Sequence, residues 1–299
     1  MITICTCTYN RGYLLNRPYE SLKKQSNKNF VWLIIDDGST DNTESIVNNF
    51  CENNNGFEIK YYKKKNGGRH TALNYSYQFI DTEFVINLDS DDALLENAVE
   101  KIHKYIDKIK KLDNYNKIWQ ISFRSIDNNS GKLVGKPYDE TINQLTGKKQ
   151  RKAFLKIKGE KHNCRKTKIL KENPFPEYEG LKFIPENIVW DVINRKYDSY
   201  CTNEVISYYY QNTLDSLSSG NMHSNSMHLS IYYYHIFVCN NLMDEFFFNE
   251  LVRRSFITIP KHAILGDVPY KKIMSDLNFR YKKIIISFFY IPVKLLFSK

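Results

Sequence analysis

No apolar run in this chain is long enough to cross a bilayer. The nearest approach, Ile284 to Val293, covers ten positions and contains Pro292, against the ~20 that a spanning helix needs. The sequence starts directly on Ile2-Thr3-Ile4-Cys5, with neither a basic leader nor an apolar signal core; no export signal and a cytoplasmic location are therefore expected. Cysteine is present six times, but only Cys5 and Cys7 are close neighbours and no second close pair completes a zinc framework. Free thiols in a reducing compartment are expected. No internal repeat is evident. Disorder is not indicated either: 42% hydrophobic and 25% charged residues over 299 positions are enough for a large core, in one domain or one domain with an appendage.

Acidic residues are scarce in two segments. Between 148 and 171 eleven Lys/Arg face the single acid Glu160, and between 251 and 299 ten face Asp267 and Asp276. The net charge of the whole is +10, so the remainder is acidic. Two basic segments on an acidic chain suit a polyanionic partner such as membrane lipid, nucleic acid or an acidic glycan. A solvated basic face explains the 148–171 stretch equally well.

The first half alternates strand and helix patterns. Ile2 to Thr8 reads as a strand, the stretch to about Lys24 as a helix bent or restarted at Pro18, and Phe30 to Ile35 as a buried parallel strand. Asp41 and Glu44 are spaced as a capping box for the next helix. Phe57 to Tyr62 and Phe84 to Leu88 read as strands with a helix, Thr71 to Ile80, between them. Leu95, Val99, Ile102, Ile106 and Ile109 form the apolar stripe of a helix over Leu94 to Leu112. This alternation predicts an α/β fold, a Rossmann-like mostly parallel sheet flanked by helices. After Trp119 shorter strands are expected, then a helix from Pro185 to Lys196 and a strand from Tyr200 to Tyr210. A boundary is placed near 220, giving a domain over 1–220 and a mainly helical C-terminal region over 221–299.

Four polar clusters follow the first four strands: Thr8-Tyr9-Asn10-Arg11, Asp36-Asp37-Gly38-Ser39-Thr40-Asp41, Asn66-Gly67-Gly68-Arg69-His70 and Asp89-Ser90-Asp91-Asp92. Any one of them could be only a turn. Together they converge on one edge of the sheet, where ligands of such sheets bind. Three acids in four residues repel one another unless a cation is near. A hard divalent ion bound through one or two carboxylates and phosphate oxygens would satisfy them. The competing reading has these acids favouring the positive end of the Leu94 helix, a role that Asp92 could fill alone.

These clusters, with Ala72, Asn74 and the preceding Ile35 and Leu88, resemble the family-2 glycosyltransferases, inverting enzymes of the GT-A fold that use nucleotide sugars. The resemblance is dense over residues 1–92 and looser through Pro185-Glu186-Asn187 and Asp215-Ser216-Leu217-Ser218. It implies that Thr8, Tyr9 and Arg11 line the nucleotide pocket and that Asp37 or Asp36 accepts a hydrogen bond from the base. Asn66, Gly67 and Arg69 would lie against the nucleotide, and Asp89, with Ser90 beside it, at the ribose. It further implies that Asp91 holds Mn2+ or Mg2+ against the diphosphate, and that Ser216 and Ser218 close over the phosphates. Two departures are visible: Cys7 stands where many members have proline, and Glu186-Asn187 stands where a Glu-Asp pair is frequent. The catalytic base is accordingly Glu186, with Asp191 as runner-up. A UDP-sugar is the donor the resemblance favours, and a surface glycan or lipid-linked glycan the acceptor.

Two other functions compete on the residues alone. A metal-dependent nucleotidyl or phosphoryl transferase on nucleic acid would use the same acids but needs a two-metal carboxylate set, and one dense cluster is present; no nucleic acid partner is expected. A non-catalytic nucleotide- or glycan-binding module could retain the same fold. The C-terminal segment, with Lys282-Lys283 before its apolar run, has two readings of equal weight. It suits an anionic membrane surface, and it suits a terminal helix docked on the domain or on a second subunit of a homo-oligomer.

Overall fold

The computed structural model describes residues 1–138, 144–145, 159, 161–210, 225–245, 247, 250–278 and 280–297. The chain divides into two compact units, one of residues 1–174 with 193–214, the other of 175–192 with 215–299. The single cut expected near 220 thus misses the excursion of 175–192, which groups with the C-terminal helices.

The first unit opens with β1 (Ile2–Thr8), α1 (Asn16–Lys23), β2 (Phe30–Asp36), α2 (Thr43–Glu52), β3 (Glu58–Lys63), α3 (Arg69–Ser76) and β4 (Phe84–Asn87). It continues through β5 (Ala93–Leu94), α4 (Ala98–Lys110), β6 (Ile118–Asp127), β7 (Gln144–Leu145), β8 (Lys161–Lys166), α5 (Thr167–Glu172) and β9 (Asp198–Tyr209). α6 (Asn187–Lys196) precedes β9 and runs across the division between the units.

The strands form one sheet in the order β3-β2-β1-β4-β8-β6-β9-β5, with β7 on β9. The β3-β2-β1-β4 half is wholly parallel, β8 runs antiparallel between β4 and β6, and β6 pairs parallel with β9. β2 is buried along its whole length, as its continuous apolar run predicts, whereas edge strand β3 is half-exposed. Trp32, Ile34, Ile4 and Ile86 pack with Ile102, Ile106 and Ile109 of α4 in one core. Each such side chain contributes roughly 1.5–3 kcal/mol on burial. The chain leaves β1 in one direction to build β2 and β3, then returns to place β4 on the other side of β1. The carboxyl ends of β1 and β4 are therefore a topological switch point, where a crevice opens in sheets of this kind.

Three expectations are corrected. The α4 helix begins at Ala98, not Leu94, because Ala93 and Leu94 pair with Tyr208 and Ser207 of β9 and the Leu95 amide donates to the Ile206 carbonyl (2.8 Å). Asp89 to Asp92 are thus separated from the helix start by a strand, which removes the helix-dipole explanation for them. Of the strands expected to be short after Trp119, β7 and β8 have two and six residues but β6, which starts at Ile118, runs for ten; β9 spans Asp198–Tyr209, close to the strand expected over Tyr200 to Tyr210.

The second unit is helical among its described residues: α7 (Asn225–Asn241), α8 (Glu250–Leu265), α9 (Tyr270–Asp276) and α10 (Arg280–Phe297). Tyr232, Ile236, Phe256, Ile259, Ile273, Leu277 and Ile286 make its core. No helix among the described residues is long and apolar enough to cross a membrane.

Candidate functional site

The turns that leave the carboxyl ends of β1 to β4 are sewn to one another. Asn10 takes a left-handed conformation (φ +51°), which asparagine tolerates better than most residues. Its amide donates to Ser39 Oγ and its Oδ1 accepts from the Thr40 amide, each at 2.8 Å. The Gly12 amide donates to Asp41 Oδ2 (3.1 Å), and Asp41 Oδ1 accepts from the Thr43 amide and hydroxyl (3.1 and 2.5 Å). Burial raises the Asp41 pKa, but these donors outweigh it and the carboxyl sits below its ordinary value. The expected capping box is not formed: Asn42 is the cap residue of α2 and makes no side-chain cap bond, while Glu44 turns to Lys63 at 2.9 Å.

Asp37 ties the second turn to the third. Its Oδ1 accepts from Lys64 Nζ (2.7 Å) and the Gly67 amide (3.0 Å), and its Oδ2 from the Gly68 amide (2.6 Å) and Asn66 Nδ2 (3.1 Å). A carboxylate has about four acceptor positions, so Asp37 can meet a base only by releasing one of these donors. Asp36 is fully buried, with Oδ1 on the Ser39 amide (2.7 Å) and Oδ2 on the Tyr61 hydroxyl (2.6 Å). The close approach of these turns needs glycine at 38, where φ is +83° and a Cβ would stand 2.8 Å from the Asn66 amide nitrogen. Gly68, at φ +95°, likewise lets the third turn enter α3 with Arg69 as its first residue.

The fourth turn gathers guanidinium groups. Arg69 donates to Asp89 Oδ1 at 2.7 Å, and Arg11 reaches Ser90 Oγ at 3.4 Å and Asp91 Oδ2 at 3.5 Å. Arg17, from α1, donates to the Asp91 carbonyl and lies over the Tyr210 ring at 3.9 Å. Burial raises the Asp89 pKa, yet Arg69, with His162 and Arg11 behind it, brings the carboxyl below its ordinary value. The mutual repulsion of the acids is thus already answered by arginine, and a metal is not required on that ground alone.

His162, on β8, was not apparent from the sequence, where it is one histidine in a basic stretch. Its Nε2 stands 2.6 Å from the Asn87 carbonyl and its Nδ1 3.0 Å from Ser207 Oγ, which in turn lies 2.7 Å from Ser125 Oγ. A carbonyl only accepts, so Nε2 carries the proton and a neutral ring takes the Ser207 hydroxyl at Nδ1. Burial pulls the His162 pKa down, against the pull of the Asn87 bond and Asp89. His162 therefore pins the end of β4 just before Asp89 and Asp91. Arg17 was missed for a related reason: nothing in a helix of mixed residues marks the one that reaches back to a distant turn.

Two side chains predicted to line a nucleotide carry buried atoms that no protein group satisfies, Thr8 Oγ1 and Asn66 Oδ1. Such atoms cost about 1–3 kcal/mol each, which a ligand's hydrogen bonds would recover. Tyr9 is exposed at the mouth of the same turn. Among the described residues no three His, Cys, Asp or Glu side chains gather as a metal-ligand set. That donor set does not fit an all-protein cage. It does fit a hard cation that takes the Asp91 carboxylate and completes its shell from phosphate and water.

The structure brings Thr8, Tyr9, Arg11, Asp36, Asp37, Asn66, Gly67, Arg69, Asp89, Ser90 and Asp91 to the turns at one sheet edge of the first unit. Glu186 and Asp191 belong to the second unit. Glu186 directly precedes α6, and its Oε2 accepts from Trp190 Nε1 at 3.1 Å. Ser216 and Ser218 lie outside the described residues, as does half of the basic stretch 148–171.

Curated relatives match over part of the chain. An uncharacterized glycosyltransferase of Rickettsia typhi is 32% identical over 133 residues, 44% of this chain and 39% of that protein. Glycosyltransferase GlyG of Streptococcus pneumoniae is 30% identical over 106 residues, 36% of this chain and 35% of that protein. The matches thus span about two fifths of the length of these relatives. Among solved structures, S. aureus TarS 1-349 in complex with UDP-GlcNAc superposes with a TM-score of 0.65 at 17% identity, covering 98% of this chain and 90% of that one. A mannosyltransferase from Pyrobaculum calidifontis with GDP-Man and Mn2+ does so at 0.53 and 12%, covering 100% and 87%. At such identities the likeness speaks for the GT-A architecture alone. The family model for glycosyl transferase family 2 matches residues 3–175, more than half of the chain, and the chain belongs to that family.

Proposed function

We propose that the switch-point site binds a nucleoside diphosphate sugar and transfers the sugar, with inversion, to an acceptor hydroxyl. The observation that carries this reading is the set of turns itself: Arg11 reaches the Asp91 carboxylate, Arg17 the Asp91 carbonyl and Arg69 the Asp89 carboxylate, and Thr8 Oγ1 and Asn66 Oδ1 in the first and third turns are buried without a protein partner. The nucleoside would lie across the first three turns, with Thr8 and Asn66 hydrogen-bonding it and Tyr9 and Gly67 against it. Base recognition falls to Asp37 or Asp36, in Asp37's case by exchange with one of its four donors. Asp89, oriented by Arg69, would accept from a ribose hydroxyl, with Ser90 at its side.

Asp91 would hold a divalent ion, Mn2+ or Mg2+, which when bound offsets charge on the departing diphosphate. Arg11, whose guanidinium stands 3.5 Å from the Asp91 carboxylate, would turn to a phosphate oxygen, adding a fixed positive charge there. Glu186, or Asp191 in its place, would take the acceptor's proton as its oxygen attacks the anomeric carbon. The bond from that carbon to the diphosphate breaks as the new one forms, and the diphosphate leaves with the electron pair. A UDP-sugar is the favoured donor, since the S. aureus neighbour and GalNAc-T7 are solved with UDP-GlcNAc and with UDP, respectively. The acceptor would be a glycan, free or lipid-linked.

A donor panel assayed with manganese, scored by nucleoside diphosphate released, tests the reading. Release from one donor, lost in Asp91→Asn, is expected. With an acceptor found, Glu186→Gln should keep donor affinity and lose transfer by about 10²–10⁴. UDP binding without turnover of any donor would favour a non-catalytic binding module.

A further inference from the structure

The last helix, α10, is apolar on two sides. Its inner side carries Lys282, Ile286 and Val293, all buried, with Ile286 in the core beside Phe256 and Ile259. Its outer side carries Tyr281, Ile284, Phe288, Ile291 and Leu295, exposed by 47, 71, 76, 67 and 80%. Their spacing of three, four, three and four residues sets them in one stripe. At 1.5 Å per residue it runs for about 21 Å. An exposed apolar surface of that length is unusual on a soluble monomer and marks an interaction site. Docking on the domain, one of the two readings open from the sequence, accounts for the inner side and leaves the outer side unexplained.

The charges identify what covers it. α10 contains no acidic residue, and residues 251–299 carry ten Lys/Arg against two acids. At 100° per residue Arg280, Lys283 and Lys294 fall along one edge of the stripe, roughly 60–120° from its centre. A second copy laid on this face would bring like charges together, with no acids at the flanks to pair them as coiled-coil partners do. A negatively charged lipid surface complements all of these residues, at about 1 kcal/mol for each Lys or Arg near it. Tyr281, at the start of the stripe, suits the headgroup boundary.

We propose that α10 lies in the plane of an anionic lipid surface, with Ile284, Phe288, Ile291 and Leu295 among the acyl chains and Arg280, Lys283 and Lys294 at the headgroups. The helix is too short and too interrupted to cross, and its inner side stays on α8. Apolar insertion and basic charge are each marginal as anchors and sufficient together. The inference concerns α10 alone and stands whether or not the switch-point site transfers sugar.

Co-sedimentation of the full chain with phosphatidylcholine vesicles, with and without phosphatidylglycerol, tests it. Binding is expected only where phosphatidylglycerol is present, and it should weaken as salt is raised. Phe288→Ser/Leu295→Ser should lose about tenfold or more in vesicle affinity, and Lys283→Glu/Lys294→Glu a comparable factor. Phe288, Leu295 and Lys294 are exposed and Lys283 is half-exposed at the edge of the stripe, so the thermal midpoint should stay near the wild-type value. Equal binding to neutral vesicles, unchanged binding by both double variants, or no binding at all would overturn the proposal. So would a dimer in light scattering that Phe288→Ser/Leu295→Ser dissolves, which would assign the face to a second copy.

Discussion

The first unit matches acid to base at the turns that follow its parallel strands, whereas the second buries basic groups against neutral partners. In the first, Lys64 meets Asp37 at 2.7 Å and Arg69 meets Asp89 at 2.7 Å. In the second, the Lys282 side chain is fully buried with its ammonium on Asn278 Oδ1 at 2.8 Å, and His235 is buried with Nδ1 on Ser255 Oγ at 2.7 Å. Burial pushes His235 and His262 down to about 4, with His262 nearby as the second cause for His235. The difference separates two kinds of work. Paired charges at the sheet edge hold loops in place, while the buried basic groups of the second unit fill a core through neutral hydrogen-bond partners.

The sharpest break in that comparison is Asp37→Ala. It would strand Lys64, which has 16% of its side chain exposed, and leave the Gly67 and Gly68 amides without their acceptor. A loss of about 3–5 kcal/mol is expected in urea unfolding. Hydrogen exchange should show the loosening at β2 and the 64–68 turn and spare α7. The two sides of α10 offer the next contrast: Ile286→Ala should cost about 2–4 kcal/mol. Ile284→Ala, 71% exposed, should stay within about 0.5 kcal/mol. Equal costs would mean that the outer side is packed.

Acid should separate the units by pH. The folded state keeps His235 neutral down to about 4, while the unfolded chain protonates it near 6.5. Between those values the unfolded state binds more protons, so stability falls as pH drops through that window, by on the order of 2 kcal/mol for this residue. Asp41 has a lowered pKa, so its contribution persists above 3.8 and is lost only as pH falls through its folded value. Exchange in α7 and α8 is therefore expected to rise between pH 6.5 and 4, ahead of exchange in β1 and β2, and His235→Gln should flatten that response. A smaller effect than that of His235 belongs to Ser207→Ala, which removes the Nδ1 partner of His162 at 3.0 Å. It should cost about 1 kcal/mol and lower nucleotide affinity only slightly; a loss as large as that of an Asp91 variant would show that His162 does more than position β4.

The parallel half of the sheet was legible in the sequence because its strands are short apolar runs closed by polar turns, a signal contained within each segment. Fold class and the helical end of the chain followed from the same local patterns. What escaped depends on distant partners. Leu94 joins a strand instead of a helix because Ser207 lies beside it, over a hundred residues later. β6 looked broken because it buries Gln120, Ser122 and Arg124, and these are tolerated only through partners such as Ser199 Oγ for Gln120 and the Val134 and Lys136 carbonyls for Arg124. At the site, motif residues announced themselves by clustering, but their division of labour did not. Asp37 proves to be a clamp with four donors, and Arg17 and His162 support the fourth turn from elements that carry no motif.

In the proposed function, Asp91 and a divalent ion would together hold a nucleoside diphosphate at the β1–β4 switch point. Calorimetric titration of UDP into the full chain, with and without manganese, tests it most directly, with Asp91→Asn as the comparison. Manganese is expected to tighten UDP binding by tenfold or more in the wild type (about 1.4 kcal/mol or more) and to do nothing in Asp91→Asn, whose metal-free affinity should match the wild type. An Asp91→Asn variant that folds normally and still shows the full manganese effect would contradict it.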